Sequence, residues 1–264
     1  MQSPTKLVSE LFALRPHFCN LRSWLLEPVS RATKHIRVGV GRPCKCYTTA
    51  LGPVWLRLGD SDFRTLLEIS RGEYDICLQG RTRPRTVLDL GANVGLSVRL
   101  WQLKFPSVRV VAIEPSSSST RLLRRNVAEG PSPESVEIIE AAVNTDGRSV
   151  LLDQSGDSDS HRVGATGTRV TGISIDEAIQ RSAALDGMVD LVKMDIEGSE
   201  QSLMECASRW APKVRYLLIE IHGAYTEGLF LRDLSEVSSG GARTTSIRSA
   251  HGVATYFVEL NPHA

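Results

Sequence analysis

The sequence predicts an α/β fold, a doubly wound and mostly parallel sheet that ends in an antiparallel C-terminal strand. Three observations predict it. From Thr86 onward, short apolar runs alternate with stretches of helical periodicity, the rhythm of a parallel sheet covered on both faces. The stretch DLGANVG, Asp89 to Gly95, places an acid, two glycines and an asparagine where a buried strand gives way to a helix. The runs Thr244–Ile247 and Ala254–Leu260, separated by Arg248–Val253, read as an antiparallel hairpin.

In chain order, Val54, Leu56 and Leu58 alternate as a short strand, and Asp60 or Ser61 can cap a helix carrying Phe63, Leu66, Leu67 and Ile69. Val87–Leu90 is a strand, followed by a helix face of Val94, Val98, Trp101 and Phe105 at spacings of three and four. Val108–Ile113 is a second strand, Ser116–Val127 a helix with Leu122, Leu123 and Val127 inward, and Val136–Ile139 a third strand. The polar stretch Asp153–Thr171 offers little to a core, so it is expected to be a loop, either a functional lid or disordered. Val189–Met194 and Val214–Ile221 are the fourth and fifth strands, and the helix between them spans Ser199–Trp210, with Leu203, Cys206 or Ala207, and Trp210 on one side.

The chain has 264 residues, 41% hydrophobic and 23% charged, enough for one domain with a full core and an appended arm. The division expected is a basic, partly helical arm over 1–51 and a domain over 52–264. The overall charge of +1 divides into +6 for Met1–Ala50 and −5 for the remainder. Such an arm suits an anionic membrane surface, a nucleic acid or an acidic substrate, but its charges are scattered, and a solvated extension is preferred. The five cysteines form no CxxC pair, so free thiols are expected. No run reaches the roughly 20 apolar residues that span a bilayer, and the N-terminus lacks the apolar core of a signal peptide. A cytoplasmic location is expected.

The glycine turn distinguishes between ligands. A dinucleotide fingerprint wants G-x-G-x-x-G to rest a pyrophosphate on the helix N-terminus, whereas here the pattern is G-x-x-x-G behind Asp89. An aspartate there repels a pyrophosphate and attracts a cation, which favours S-adenosylmethionine with its ammonium and sulfonium. Glu114, at the end of the second strand, can accept both hydroxyl protons of a ribose. The glycine spacing opposes a nicotinamide dehydrogenase.

VLDLGANVGLS, VVAIEP, LLRRNV, EAAV, VDLVKMDIEGSE and LLIEIHG resemble the successive motifs of the FkbM-type S-adenosylmethionine-dependent methyltransferases. The lead-in DSDFRTLLEISRGEYD is also similar to theirs, and the likeness runs from about Val54 to Gly223, with Asp195–Glu200 its most specific part. The resemblance implies a class I methyltransferase (Rossmann-like) fold, in which seven strands end in an antiparallel one, and makes 52–264 the methyltransferase domain. It further implies methylation of a hydroxyl oxygen on a sugar or natural-product small molecule. Carried over by position, Asp89, Gly91, Asn93, Gly95 and Glu114 hold the cofactor, and Ala142 lies near the adenine.

Transfer from sulfur to oxygen depends mostly on positioning, with a base to take the hydroxyl proton. The catalytic candidates are Asp195, Glu197 and His222, at the ends of strands four and five, with His222 as a candidate base. Glu200 is given a structural role at a helix start, and His161 reaches the site only if the polar loop closes. Asp195, Glu197 and Glu220 could supply oxygen ligands to magnesium, but the reading without a metal is preferred. Base-directed methyltransferases commonly carry an Asn/Asp-Pro-Pro-aromatic element after strand four, and the residues there are MDIEGSE, so no nucleic-acid partner is expected. The rival readings are a methyltransferase with a different acceptor and a protein that binds the cofactor without turnover.

Overall fold

The structure, a computed structural model, describes residues 41–72, 74–75, 83–153, 162–164, 166–237, 242–250 and 253–261, together with 17–20, 22–26, 28 and 30. It opens on a hairpin in which β1 (Pro43–Thr48) pairs antiparallel with β2 (Gly52–Arg57). The boundary drawn after residue 51 therefore falls in the turn of this hairpin. Buried Phe18 joins the hairpin by a bridge to Thr48, whereas residues 1–16 and 31–40 of the arm lie outside the described residues.

Helix α1 (Asp62–Ser70) then leads to β3 (Thr86–Leu90), α2 (Leu96–Lys104), β4 (Arg109–Ile113), α3 (Ser117–Ala128) and β5 (Val136–Ile139). The short strands β6 (Ala142–Asn144), β7 (Val150–Asp153), β8 (Arg162–Gly164), β9 (Thr168–Val170) and β10 (Gly172–Ser174) precede α4 (Ile175–Ser182) and β11 (Val189–Met194). The chain finishes with α5 (Glu200–Met204), β12 (Val214–Ile221), α6 (Glu227–Val237), β13 (Arg243–Ala250) and β14 (Val253–Glu259).

The main sheet has seven strands in the order β13-β14-β12-β11-β3-β4-β5. The pairs from β12 to β5 are parallel, and β14 runs antiparallel to both neighbours, as the C-terminal hairpin predicted. Every residue of β3 and of β11 is buried, the continuous burial that a parallel strand covered on both faces requires. Alternation divides them between two cores. Val87 and Leu191 face the core beneath α1, α2 and α3, while Leu88, Leu90, Val192 and Met194 face the core formed with α4, α5 and α6. Chain order reverses at β3, whose neighbours are β4 and β11, so the crevice beyond their carboxyl ends is where a ligand is expected.

Two expected elements differ. The described part of the stretch from Asp153 to Thr171 is largely strand: β7 pairs with both β8 and β9 in a small antiparallel sheet. Three-residue strands with few apolar side chains leave no periodic signal; backbone pairing and buried Leu152 hold them. Residues 154–161, with His161, lie outside the described residues. The helix expected over Ser199–Trp210 stops at Met204 and continues as two 3₁₀ turns, Ala207–Arg209 and Ala211–Lys213. Trp210 folds inward and donates its indole N–H to the carbonyl of Leu203, satisfying an acceptor that a continuing helix would have used.

Cys19, Cys44, Cys46 and Cys206 are free thiols, and among the described residues no helix is long and apolar enough to cross a membrane.

Candidate functional site

A cavity of about 270 Å³ opens in the crevice at the switch point. Its floor is the turn between β3 and α2. Gly91 has φ 76°, and a Cβ there would stand 1.7 Å from the backbone oxygen of Asp195, so this glycine lets the β11 loop close onto the turn. Gly95, with φ 82°, caps α2, and its missing Cβ leaves room for Leu123. Both glycines therefore serve chain packing, and of the two only Gly91 lines the cavity. Gly91→Ala is expected to cost about 3 kcal/mol or more of unfolding free energy in urea titration, from left-handed strain plus the backbone overlap.

Glu114, at the end of β4, lines the wall opposite. Its Oε2 accepts from the backbone N–H of Asn93 at 2.9 Å and its Oε1 from that of Ser116 at 2.9 Å. Burial, only partly offset by these N–H groups and by the charges of Arg57 and Lys193, pushes its carboxyl up to about 7. Asn93 has φ 48° and is held by Arg57, whose Nη2 donates to Asn93 Oδ1 at 2.7 Å. Ala142 also lines the cavity, with its own N–H donated to the Thr171 carbonyl.

Asp89 is placed differently from the expectation that it faces a cationic ligand. It lies on the same face of β3 as Val87, is 0% exposed, and does not line the cavity. Its Oδ2 accepts from the Trp101 indole at 3.2 Å, and its Oδ1 stands 3.5 Å from Lys193 Nζ. Lys193 is the cross-strand partner of Asp89 in the β3–β11 register, and it also donates to the Gly91 carbonyl at 2.9 Å. The charge reserved for a ligand is thus met from within the sheet.

The remaining wall collects Asp195 from the end of β11, Glu197 from the loop after it, and Glu220 and His222 from the end of β12. Around His222 Nε2 stand Glu197 Oε1 at 3.7 Å, Asp195 Oδ1 at 3.8 Å and Glu220 Oε1 at 3.9 Å. His222 Nδ1 is 2.8 Å from Glu200 Oε1. Glu200 also accepts from the backbone N–H groups of Ile196 and Gly198, so it organises the whole 195–199 loop beyond any interaction with its helix dipole. Glu197 has φ 54°, a left-handed strain that this loop imposes.

Burial opposes protonation of His222, but the bond to Glu200 and the charges of Asp195, Glu200 and Glu197 outweigh it and raise the imidazole to about 9. The surrounding carboxylates thus favour the charged form of this imidazole, and His222 lines the cavity beside the other two catalytic candidates. Burial, with the charge of Asp195, pushes Glu220 up to about 8.

Among the cavity residues not singled out from the sequence are Lys193 and Tyr74. A lysine within the buried run VDLVKM was the available signal, since such a cation demands a paired acid. Tyr74 stacks on Trp101 with ring centroids 5.9 Å apart. Burial pushes its phenol well above the ordinary value, against the opposing charge of Lys193, so its hydroxyl stays protonated.

A seven-stranded sheet of this order, with a carboxylate at the end of β4 and a glycine turn after β3, is the arrangement of the class I methyltransferase fold. The family model for the methyltransferase FkbM domain matches residues 89–243, and the chain belongs to that family of S-adenosylmethionine-dependent methyltransferases. Among solved structures, the METTL16 methyltransferase domain superposes with a TM-score of 0.51 at 9% identity, over 98% of this chain and 92% of that one. This likeness shows the fold. The methyltransferase FkbM of Methylobacillus flagellatus KT is similar at 17% identity and TM-score 0.45, over 96% of this chain and 59% of that one, so the present chain spans little more than half its length. Aeropyrum pernix fibrillarin, whose structure holds natively bound S-adenosyl-L-methionine, is similar at 16% identity and TM-score 0.42, over 67% of each chain. No curated protein matches the chain.

Proposed function

We propose that this protein transfers a methyl group from S-adenosylmethionine to a hydroxyl oxygen of a small molecule, a sugar or natural-product scaffold. The observation that carries the reading is Glu114: a buried carboxylate that lines the cavity and is raised by its burial, in the position where two ribose hydroxyls could donate to it. When bound, S-adenosylmethionine supplies an electrophilic methyl group on a sulfonium.

The chain's own residues supply the rest. Gly91 and Asn93 set the floor on which the ligand rests, and Ala142 offers a small apolar contact of the size an adenine edge needs. Lys193 spans Asp89 and Asp195, at 3.5 and 3.3 Å, which fixes the spacing of the β3 and β11 ends and partly neutralises Asp195. Asp195, Glu197 and His222 face the same cavity and hold the acceptor. Glu197, at the cavity wall beside His222, is the group proposed to receive the hydroxyl proton. An acceptor of small size suits the cavity, and the MDIEGSE loop lacks the proline–aromatic element that would stack a flipped base.

The test is turnover. The full chain incubated with S-adenosylmethionine and pooled hydroxylated acceptors is expected to release S-adenosylhomocysteine in step with methyl ether formation, and Glu197→Gln is expected to lower kcat by about 10²-fold or more. Binding of the cofactor with no transfer to any pooled hydroxyl, but transfer to an amine or nucleobase, would reassign the acceptor.

A further inference from the structure

The cluster around His222 is arranged for more than proton exchange. His222 is 7% exposed, and its Nε2 points at the carboxylates of Asp195, Glu197 and Glu220 from 3.7 to 3.9 Å, beyond hydrogen-bond reach of each. Among the described residues Nε2 has no hydrogen-bond partner. The opposite nitrogen is held at 2.8 Å by Glu200, which is 0% exposed and fixed by two backbone N–H groups. A carboxylate held behind an imidazole is the arrangement that turns the other nitrogen's lone pair toward a metal and strengthens it as a donor.

The spacing fits the same occupant. Donor atoms of Asp195, Glu220 and His222 all lie within 4.8 Å of one another. An ion bonded at about 2.1 Å to each donor would hold them about 3 to 4 Å apart, so a small closure completes the site. Lys193 does not compete for the position, because it contacts Asp195 through Oδ2 while Oδ1 faces His222.

We propose that Asp195, Glu220 and His222 bind one divalent cation of the manganese-to-zinc series at the carboxyl ends of β11 and β12, with its remaining coordination positions open to the cavity. The donor set selects the class. An imidazole favours manganese, iron or zinc over calcium, and the absence of a thiolate disfavours copper(I) and a closed structural zinc site. Glu197 stays outside the ligand set, free of the metal and beside the open positions. The use of the ion on an acceptor oxygen rests on the methyltransferase reading, whereas the site itself does not.

The full chain, stripped with a chelator and dialysed, is titrated with manganese(II) alone while the free-ion electron paramagnetic resonance signal is followed. One ion per chain is expected to disappear from solution. Glu220→Gln and His222→Gln are each expected to weaken binding by more than about 10-fold, and Glu200→Gln by about 10- to 100-fold. Circular dichroism of the same stripped samples reports folding, and binding of S-adenosylhomocysteine reports the methyltransferase reading separately. The proposal is overturned if stripped protein that still binds S-adenosylhomocysteine takes up neither manganese nor zinc, or if folded Glu220 and His222 variants bind manganese as the wild type does. Magnesium at equal concentration displacing the manganese would overturn the assignment to the transition series.

Discussion

Arg57→Met is expected to lower the unfolding free energy by about 3–5 kcal/mol, because it leaves a fully buried carboxylate without its cation. Asp62 is 0% exposed and Arg57 5%. Asp62 Oδ2 accepts from both the backbone N–H and the Nε of Arg57, at 2.7 and 3.0 Å, and Oδ1 accepts from Nη2 at 2.7 Å. The same guanidinium reaches Asn93 Oδ1 at 2.7 Å and Ser119 Oγ at 3.1 Å, so it ties the β1–β2 hairpin to the ligand turn and to α3. Adding Asp62→Leu to Arg57→Met is expected to recover most of the loss, since the stranded charge is removed with its partner. Urea titration of the wild type, both single variants and the double variant measures the coupling. A cost below about 1 kcal/mol for Arg57→Met would mean that water reaches Asp62 and that the hairpin is held by apolar packing alone.

Glu114→Gln is expected to weaken S-adenosylhomocysteine binding by about 100-fold or more, from losing two charge-assisted acceptors worth about 1.5–3 kcal/mol each. The variant also removes a titration whose sign is defined. The folded carboxyl, at about 7, is raised above the ordinary glutamate value of 4.5, so the folded state holds the proton more tightly than the unfolded state. This contribution to stability is fully present below the unfolded value and is lost as pH rises through about 7. Between these limits the wild type without ligand is expected to lose stability relative to Glu114→Gln as pH rises. Ribose hydroxyls donate to the ionised carboxylate, so ligand affinity runs the other way: it rises with pH toward about 7, and below that pH binding releases a proton.

Much of the sheet was legible because the physics that forms it is periodic. Val136–Ile139, Val189–Met194 and Val214–Ile221 have the predicted bounds, since each is a mostly apolar run and the strand ends where the run ends. What the sequence concealed depends on partners distant in the chain. Asp89 reads as a ligand contact from its place beside two glycines, yet strand alternation turns it inward to Lys193, 104 residues away, and only the β3–β11 register reveals the pair. Glu200 reads as an ordinary helix-start acid, and its hold on His222 appears once β12 is laid beside β11. Tyr74 arrives from the lead-in segment, which carries no strand signal to place it. The serine N-cap that starts α4 was available locally: Ser174 Oγ accepts from the Glu177 N–H at 3.2 Å.

The central claim is that the crevice beyond the carboxyl ends of β11, β3 and β4 binds S-adenosylmethionine through Glu114. Calorimetric titration of the full chain with S-adenosylhomocysteine, at pH 6 and pH 8 in buffers of differing ionisation enthalpy, tests it most directly. The predicted result is one site per chain, proton release at pH 6 that vanishes at pH 8, and loss of both the site's affinity and the proton release in Glu114→Gln. Binding that is unchanged in Glu114→Gln and independent of pH, or no binding of S-adenosylhomocysteine by a folded wild type, would contradict it.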